Sequence, residues 1–212
     1  MYNASYERPS MLELVGDITG KDIMDIGCGA GTLLSAFAKG NPRTLAGIDA
    51  SPRLAAIAAS RLDRRARIRV RDVREPFELA ERGSMDVIVC SLMLDYVEDW
   101  KAGFANCRSL LRPGGSMFFS VTHPNEAPSD TDLGECVLVS ELWPSFGLEV
   151  SRYYRPLTQM LQAIADAGFI LRRTAEPQPA TSLLWRDPGL FVRLKRRPRF
   201  LMFEIGNPPQ TK

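Results

Sequence analysis

Two rhythms alternate along the first 121 residues. Short, mostly apolar runs occupy 23–26, 45–49, 85–90 and 116–121, and 68–71 alternates arginine with apolar residues, which suggests one wetter face. Between them, apolar residues recur at helical spacing over 32–39, through Leu54, Ile57, Ala58 and Leu62, and over 101–111. Runs of four to six apolar residues bounded by turn formers read as buried strands, and the intervening stretches as amphipathic helices. Ser51-Pro52 supplies an N-cap followed by proline at the first helical position. Strands alternating with helices in this way specify a parallel, doubly wound α/β sheet. The chain opens on Tyr2, Tyr6, Arg8 and Pro9, and Met11, Leu12, Leu14 and Val15 then form a short amphipathic helix within 1–20.

From Pro124 the rhythm changes. Residues 124–135 are polar and turn-rich, and 136–143 and 148–154 read as two extended segments around 144–147. A helix follows over 157–168, with Leu157, Met160, Leu161, Ile164 and Ala165 on one face. Segments 169–174 and 199–205 are the last two strands, an antiparallel edge pair that brings the sheet to seven. The Pro- and Arg-rich stretch between them, 175–198, reads as surface loop with one short helical turn.

Composition narrows the picture a little. At 212 residues, 45% hydrophobic and 25% charged, the chain reads as one domain over 1–212 with a full core. A net charge of +2 gives no reason to expect a polyanionic partner. Cysteines 28, 90, 107 and 136 form no C-x-x-C pair, so neither metal nor disulfide is expected. Acid and base appear by residue 8, without the apolar centre of a signal peptide, and no apolar run reaches the roughly 18 residues of a membrane span. The expectation is a soluble cytoplasmic protein with no membrane and no nucleic-acid partner. The arginines between 61 and 71 and between 193 and 199 invite a nucleic-acid reading. Interspersed acids and the small net charge favour a solvated face instead.

The chemistry gathers where the first strand meets its helix, in Asp25-Ile26-Gly27-Cys28-Gly29-Ala30-Gly31. Glycines at 27, 29 and 31 remove Cβ atoms where the backbone turns sharply and where a ligand can press on main-chain N–H groups. Dinucleotide enzymes use such a turn too. Here the spacing is G-x-G-x-G, and an acid stands two residues before the first glycine. A carboxylate there suits an ammonium group and repels a pyrophosphate. Asp49 ends the second strand, where open sheets bind ligands, and can accept both ribose hydroxyls of a nucleoside.

These residues resemble the first motif of class I S-adenosylmethionine-dependent methyltransferases. Met85-Asp86-Val87-Ile88-Val89-Cys90-Ser91-Leu92 looks like the family's fourth motif, and Leu111-Arg112-Pro113-Gly114-Gly115 is similar to the turn before its fifth strand. Tyr6-Glu7-Arg8-Pro9, Val121-Thr122-His123-Pro124, Tyr153-Tyr154-Arg155-Pro156-Leu157 and Ala167-Gly168-Phe169 further resemble the small methyltransferase-11-like enzymes. The resemblance implies a Rossmann-like fold with a lid insert after strand five, S-adenosylmethionine as cofactor, and methyl transfer to an oxygen or nitrogen of a small molecule. It implies cofactor contacts at Tyr6, Asp25, Gly27, Cys28, Gly29, Gly31, Asp49, Ala50, Asp72, Val73, Cys90, Ser91 and Leu92. The adenine amino group would fall to Asp72 and a backbone N–H to Val73. Residues 1–20 would form the N-terminal lid and 124–156 the substrate cover.

Several of these residues carry a second reading. Asp72 could sit in a surface ion pair with Arg71, and Tyr2 and Tyr6 could be packing aromatics rather than lid contacts. Asp95 stands where many relatives carry a histidine, so no role is transferred to it. His123, the single histidine, ends a strand that faces the ligand crevice, and is either the base that serves the acceptor or a residue that orients the turn before Pro124. Asp130, Asp132, Glu135 and Glu141 could draw in an amine substrate or be a solvated face. The competing function is a catalytically silent S-adenosylmethionine-binding partner or scaffold protein. The oligomeric state is left open.

Overall fold

The computed structural model describes residues 3–78, 81–132, 134–143 and 147–209. Tyr2 lies outside them. Five parallel strands form the left and centre of the sheet: β1 (Asp22–Ile26), β2 (Thr44–Asp49), β3 (Arg67–Val70), β4 (Met85–Ser91) and β5 (Leu111–Thr122). β8 (Ile170–Ala175) and β9 (Phe200–Gly206) complete it in the order β3-β2-β1-β4-β5-β9-β8, with β9 antiparallel to both neighbours. β6 (Val137–Trp143) and β7 (Leu148–Tyr154) pair antiparallel in a separate ribbon. The chain therefore matches the seven-stranded, doubly wound expectation. The strand order reverses between β1 and β4, which opens the ligand crevice at the carboxyl ends of those strands.

Alternating side chains send apolar residues to both faces of the sheet, as strands covered by helices on both sides require. On one face, Met24, Ile26, Ile88, Cys90, Met117 and Phe119 pack with helices α4 (Trp100–Leu110) and α5 (Leu157–Asp166). Phe119 stacks on Phe203 at 4.7 Å between ring centroids. On the other face, Ile23, Val87, Val89 and Phe118 meet α1 (Arg8–Val15), α2 (Thr32–Phe37) and α3 (Pro52–Leu62). Ser51 caps α3 as expected, its hydroxyl accepting from the Leu54 N–H at 3.3 Å.

At the amino ends of the strands, Asp22 accepts from Arg43, Thr44 and Arg112, and Asp86 pairs with both arginines. The Arg43 guanidinium, hydrogen-bonded to it, holds the Asp22 carboxyl far below the usual carboxylate range. A cavity of about 730 Å³ lies beside this network, lined by Lys21, Arg43, Asp86 and Arg112. It opens at the opposite end of the strands from the glycine turn, and Arg43 and Arg112 there are paired with Asp22 and Asp86.

Three expectations are corrected. Residues 175–198 are not a loop with a single helical turn: α6 (Thr181–Arg186) and α7 (Pro188–Arg196) bury Leu183, Leu190 and Leu194 against Tyr6 and Phe200. The apolar face of α5 is narrower than its spacing suggests, since Met160 and Ile164 are buried while Leu157 and Leu161 stay exposed. Pairing in β5 begins at Leu111, and a register shift opposite Met85–Val87 absorbs the Pro113-Gly114-Gly115 turn. Among the described residues, no helix is long and apolar enough to cross a membrane.

Candidate functional site

The glycine turn is tied to its neighbour strand before any ligand arrives. The N–H groups of Gly27 and Cys28 both donate to the Ile48 carbonyl, at 2.8 and 2.9 Å. All three glycines have positive φ, but they face different surroundings. A Cβ on Gly27 would collide with Met93, and one on Gly31 would press on Ala58 and Leu62 of α3. Only at Gly29 would a Cβ meet nothing within 4 Å, so its face is open to a ligand. Gly31 thus serves helix packing, and Gly29 is the point of close approach.

Asp49 holds the turn from β2. Its Oδ2 accepts the Gly29 N–H at 2.7 Å, and its Oδ1 accepts the Ser51 N–H at 2.9 Å. Ala50, between them, is exposed. From outside, Arg61 of α3 donates to the Ala30 carbonyl and the Thr32 hydroxyl, both at 2.7 Å.

Asp25 is the anomaly of the site. It is 1% exposed, and neither carboxylate oxygen has a hydrogen-bond partner among the described residues. Buried polar groups are nearly always satisfied, so an orphaned carboxyl marks a place where something else binds. Burial pushes its pKa well above the ordinary value, and the nearby carboxylates of Glu7 and Asp49 push it further. Burial also raises the Cys28 thiol to about 12, which removes it as a nucleophile.

β4 ends beside the turn. The Cys90 side chain points into the core, so only its backbone can face the crevice. Ser91 turns its hydroxyl to Glu7 of the N-terminal segment, at 2.8 Å. Leu92 adopts φ of 51°, a left-handed conformation uncommon for a branched residue, and its N–H donates to the Ser120 carbonyl at 3.2 Å. Backbone held this way at a strand end is a feature of ligand sites.

Asp72 and Val73, expected from sequence to meet adenine, form no hydrogen bond with this cluster among the described residues. Asp72 forms an ion pair with Arg74 at 2.7 Å, and that contact draws its pKa down. Arg71, the partner in the alternative reading, meets Glu81 and lies over the Phe77 ring. The Val73 side chain is in the core.

Over the crevice, a wide helical turn at Asn3–Glu7 brings in Tyr6, which is fully buried against Phe200. Its hydroxyl accepts the Arg199 N–H at 3.1 Å. The ring therefore packs against the α6–α7 helical pair.

His123 follows β5 at the carboxyl end of the sheet, but both ring nitrogens are engaged. Nδ1 accepts the Asn125 N–H at 3.1 Å and caps a short helical turn, and Nε2 meets Glu176 at 3.3 Å. With Nδ1 accepting, the neutral ring carries its proton on Nε2 and offers no lone pair to a substrate. The base expected from sequence meets this obstacle in the structure.

A second buried carboxyl, Asp95, to which the sequence assigned no role, is firmly held. Asp95 accepts from the Thr122 N–H at 3.0 Å and from its hydroxyl at 2.7 Å. Burial raises its pKa, opposed by those bonds and by Arg152 and Arg155. Within the β6–β7 ribbon Arg152 pairs with Glu141, which accepts the Tyr154 hydroxyl at 3.0 Å, and Arg152 also donates to the Thr122 hydroxyl at 3.4 Å, which ties the ribbon to the end of β5. Of the four acids considered as an amine lure, Glu141 is thus committed to an ion pair. Asp130, Asp132 and Glu135 line a separate cavity of about 460 Å³.

A family model for a methyltransferase domain matches residues 6–173. The chain belongs to that family. This methyltransferase is 28% identical over 187 residues to the ubiquinone biosynthesis O-methyltransferase of Acinetobacter baumannii strain AYE, covering 85% of this chain and 77% of that protein. It is 34% identical over 153 residues to the protein of the same description from Thiobacillus denitrificans, covering 71% of this chain and 65% of that one. In fold, it matches an S-adenosylmethionine-dependent methyltransferase from Mesorhizobium loti at a TM-score of 0.75 and 23% identity, over 93% of this chain and 96% of the other.

Proposed function

We propose that this S-adenosylmethionine-dependent methyltransferase methylates a hydroxyl oxygen of a small organic molecule. The observation that carries the reading is Asp25: a fully buried carboxyl without a partner, two residues before a glycine turn whose Gly29 face is open. An ammonium group completes that carboxyl, as the methionine end of the cofactor would. Asp49 at the end of β2 suits the ribose hydroxyls, and Asp72 with the Val73 backbone suits the adenine edge. Cys90, Ser91 and Leu92 would form the wall opposite, through main chain and the Ser91 hydroxyl. Bound S-adenosylmethionine supplies an electrophilic methyl on sulfur.

What remains for this chain is to position and shield: the oxygen–methyl bond forms as the sulfur–methyl bond breaks, and the hydroxyl proton passes to water. Holding an acceptor near contact distance and in line can supply much of the rate enhancement. Tyr6 and the Asn3–Glu7 turn close one side and exclude water. The β6–β7 ribbon would cover the acceptor, with Asp95, Thr122 and Arg152 as its polar floor. The curated relatives bear O-methyltransferase names, which favours oxygen over nitrogen. The test is transfer of labelled methyl to a panel of phenols, catechols and amines, read by mass spectrometry. Labelled ether from the hydroxylated members supports the reading, and labelled amines alone would refute it. Tight binding of S-adenosylhomocysteine with no transfer to any acceptor in cell extract would favour a silent binding protein.

A further inference from the structure

The helices α6 and α7 turn a cationic face outward. Residues 181–199 carry six cations against one acid, a local charge of +5 in a chain whose total is +2, so the remainder is net acidic. That one acid, Asp187, is spent as the cap of α7, and Arg197 and Arg199 both pair with Glu126. Arg186, Arg193, Lys195 and Arg196 are exposed and form no ion pair among the described residues. All four lie in the last turns of their helices, where the helix dipole favours positive charge. The dipole accounts for the cations and not for the apolar side chains set among them. Trp185, 83% exposed, immediately precedes Arg186. Val192, 45% exposed, lies on the side of α7 opposite the buried Leu190 and Leu194, with Lys195 and Arg196 one turn further on. A single exposed apolar residue is ordinary, whereas an indole and an aliphatic side chain framed by unpaired cations mark an interaction surface.

We propose that α6 and α7 dock this protein on an anionic membrane surface. Trp185 and Val192 enter the boundary between headgroups and acyl chains, and Arg186, Arg193, Lys195 and Arg196 pair with lipid phosphates. A helix with an apolar strip between cationic flanks lies in the plane of the interface in this way, and indole rings settle at headgroup depth. Charge complementarity names the lipid: each unpaired cation gains roughly fivefold in partitioning near an anionic surface, and little near a zwitterionic one. The acidic remainder of the chain is repelled by the same surface, which turns α7 toward it. Nucleic acid also attracts cations, but an aliphatic Val192 at the centre of the face has no stacking role there. Among the described residues no helix can cross a bilayer, so the contact is peripheral. On their inner side the same helices bury Leu183, Leu190 and Leu194 against Tyr6 and Phe200. The turn that carries Tyr6 thus lies one helix diameter, roughly 10 Å, behind the docking face. Docking is independent of the proposed methyl transfer and needs neither cofactor nor acceptor.

Flotation of the full chain with phosphatidylcholine vesicles, plain or containing about a third phosphatidylglycerol, tests this in about 0.1 M salt. Wild type should partition onto the anionic vesicles roughly 100-fold more strongly than onto the plain ones. Arg193→Gln combined with Arg196→Gln should lose about 25-fold of that, fivefold per charge. These side chains are exposed, so the variant should keep its circular dichroism spectrum. Brominated acyl chains in the anionic vesicles should quench wild-type indole fluorescence, and Trp185→Phe should abolish that quenching. Equal partitioning onto both vesicles, undiminished binding by the double variant, or quenching that survives Trp185→Phe would each overturn the inference. So would a wild type that ignores the vesicles yet binds mixed-sequence RNA at the same salt through Arg193 and Arg196, which would reassign the face to nucleic acid.

Discussion

Replacing Asp25 by asparagine should make this protein more stable and a poorer binder at once. The carboxyl is fully buried, lacks a donor, and sits near two other acids. Burial and the nearby carboxylates of Glu7 and Asp49 hold its pKa well above the ordinary value, so near neutral pH this carboxyl costs the fold stability. Asparagine removes the charge but keeps an unsatisfied amide, so a recovery of about 1–3 kcal/mol is expected. For a chain of this length, that raises Tm by roughly 2–12 °C. The sign with pH is fixed by the direction of the shift. A carboxyl whose folded pKa lies above its unfolded value is without penalty below the unfolded pKa. It loses stability as pH rises through the folded one, so the gap between variant and wild type should widen from pH 4 to pH 8. Binding moves the other way. Loss of a charged hydrogen-bond partner of the ammonium, about 1.5–3 kcal/mol, weakens S-adenosylhomocysteine roughly 10- to 150-fold. Scanning calorimetry and titration calorimetry on one preparation read both. A variant no more stable than wild type at pH 8, with unchanged affinity, would refute the reasoning.

Three further outcomes are expected. Asp49→Ala removes the acceptor of the Gly29 and Ser51 N–H groups along with the proposed ribose partner, so S-adenosylhomocysteine should bind about 1–3 kcal/mol more weakly, and Asp72→Ala should cost less because Asp72 is already spent on Arg74; equal effects in titration calorimetry would argue against this division. His123→Ala should lose about 1 kcal/mol of stability with its cap and less than tenfold in turnover. A fall of about 10²–10⁴ in single-turnover rate would reinstate it as the base. Leu194→Ala, in the buried seam between α7 and Tyr6, should destabilise by about 2–5 kcal/mol, and a urea midpoint within error of wild type would show that this seam does not hold the lid.

Local features were legible in the sequence, and meetings between distant residues were not. The glycine turn, Asp25 and Asp49 could be read because strand, turn and strand end carry their own signatures within a few residues. Glu7 could not, because what defines it lies 84 and 113 residues away, on Ser91 and Ser120. His123 was correctly seen to end a strand, yet its commitment depends on Asn125 and on Glu176, 53 residues distant. The α6–α7 pair had visible cues: Asp187 caps α7 by accepting the Leu190 N–H at 2.9 Å, with Pro188 at the first position. Density of arginine and proline hid the leucine spacing, and the apolar face emerges only when Tyr6 and Phe200 supply its partner. Trp185 stands 83% exposed on α6, and no pattern in the sequence anticipates it.

The central claim is that the Gly27–Gly31 turn holds the methyl donor at its open Gly29 face. Equilibrium titration of S-adenosylhomocysteine into wild type and Gly29→Val tests it most directly. The added side chain enters empty space in the free protein, though at a φ of 54° it is strained by about 1–2 kcal/mol, so the variant should remain folded by circular dichroism. Wild type should bind in the micromolar range, near −8 kcal/mol, and the variant should show no binding at a thousandfold higher concentration. A folded Gly29→Val protein that binds with wild-type affinity would contradict the claim.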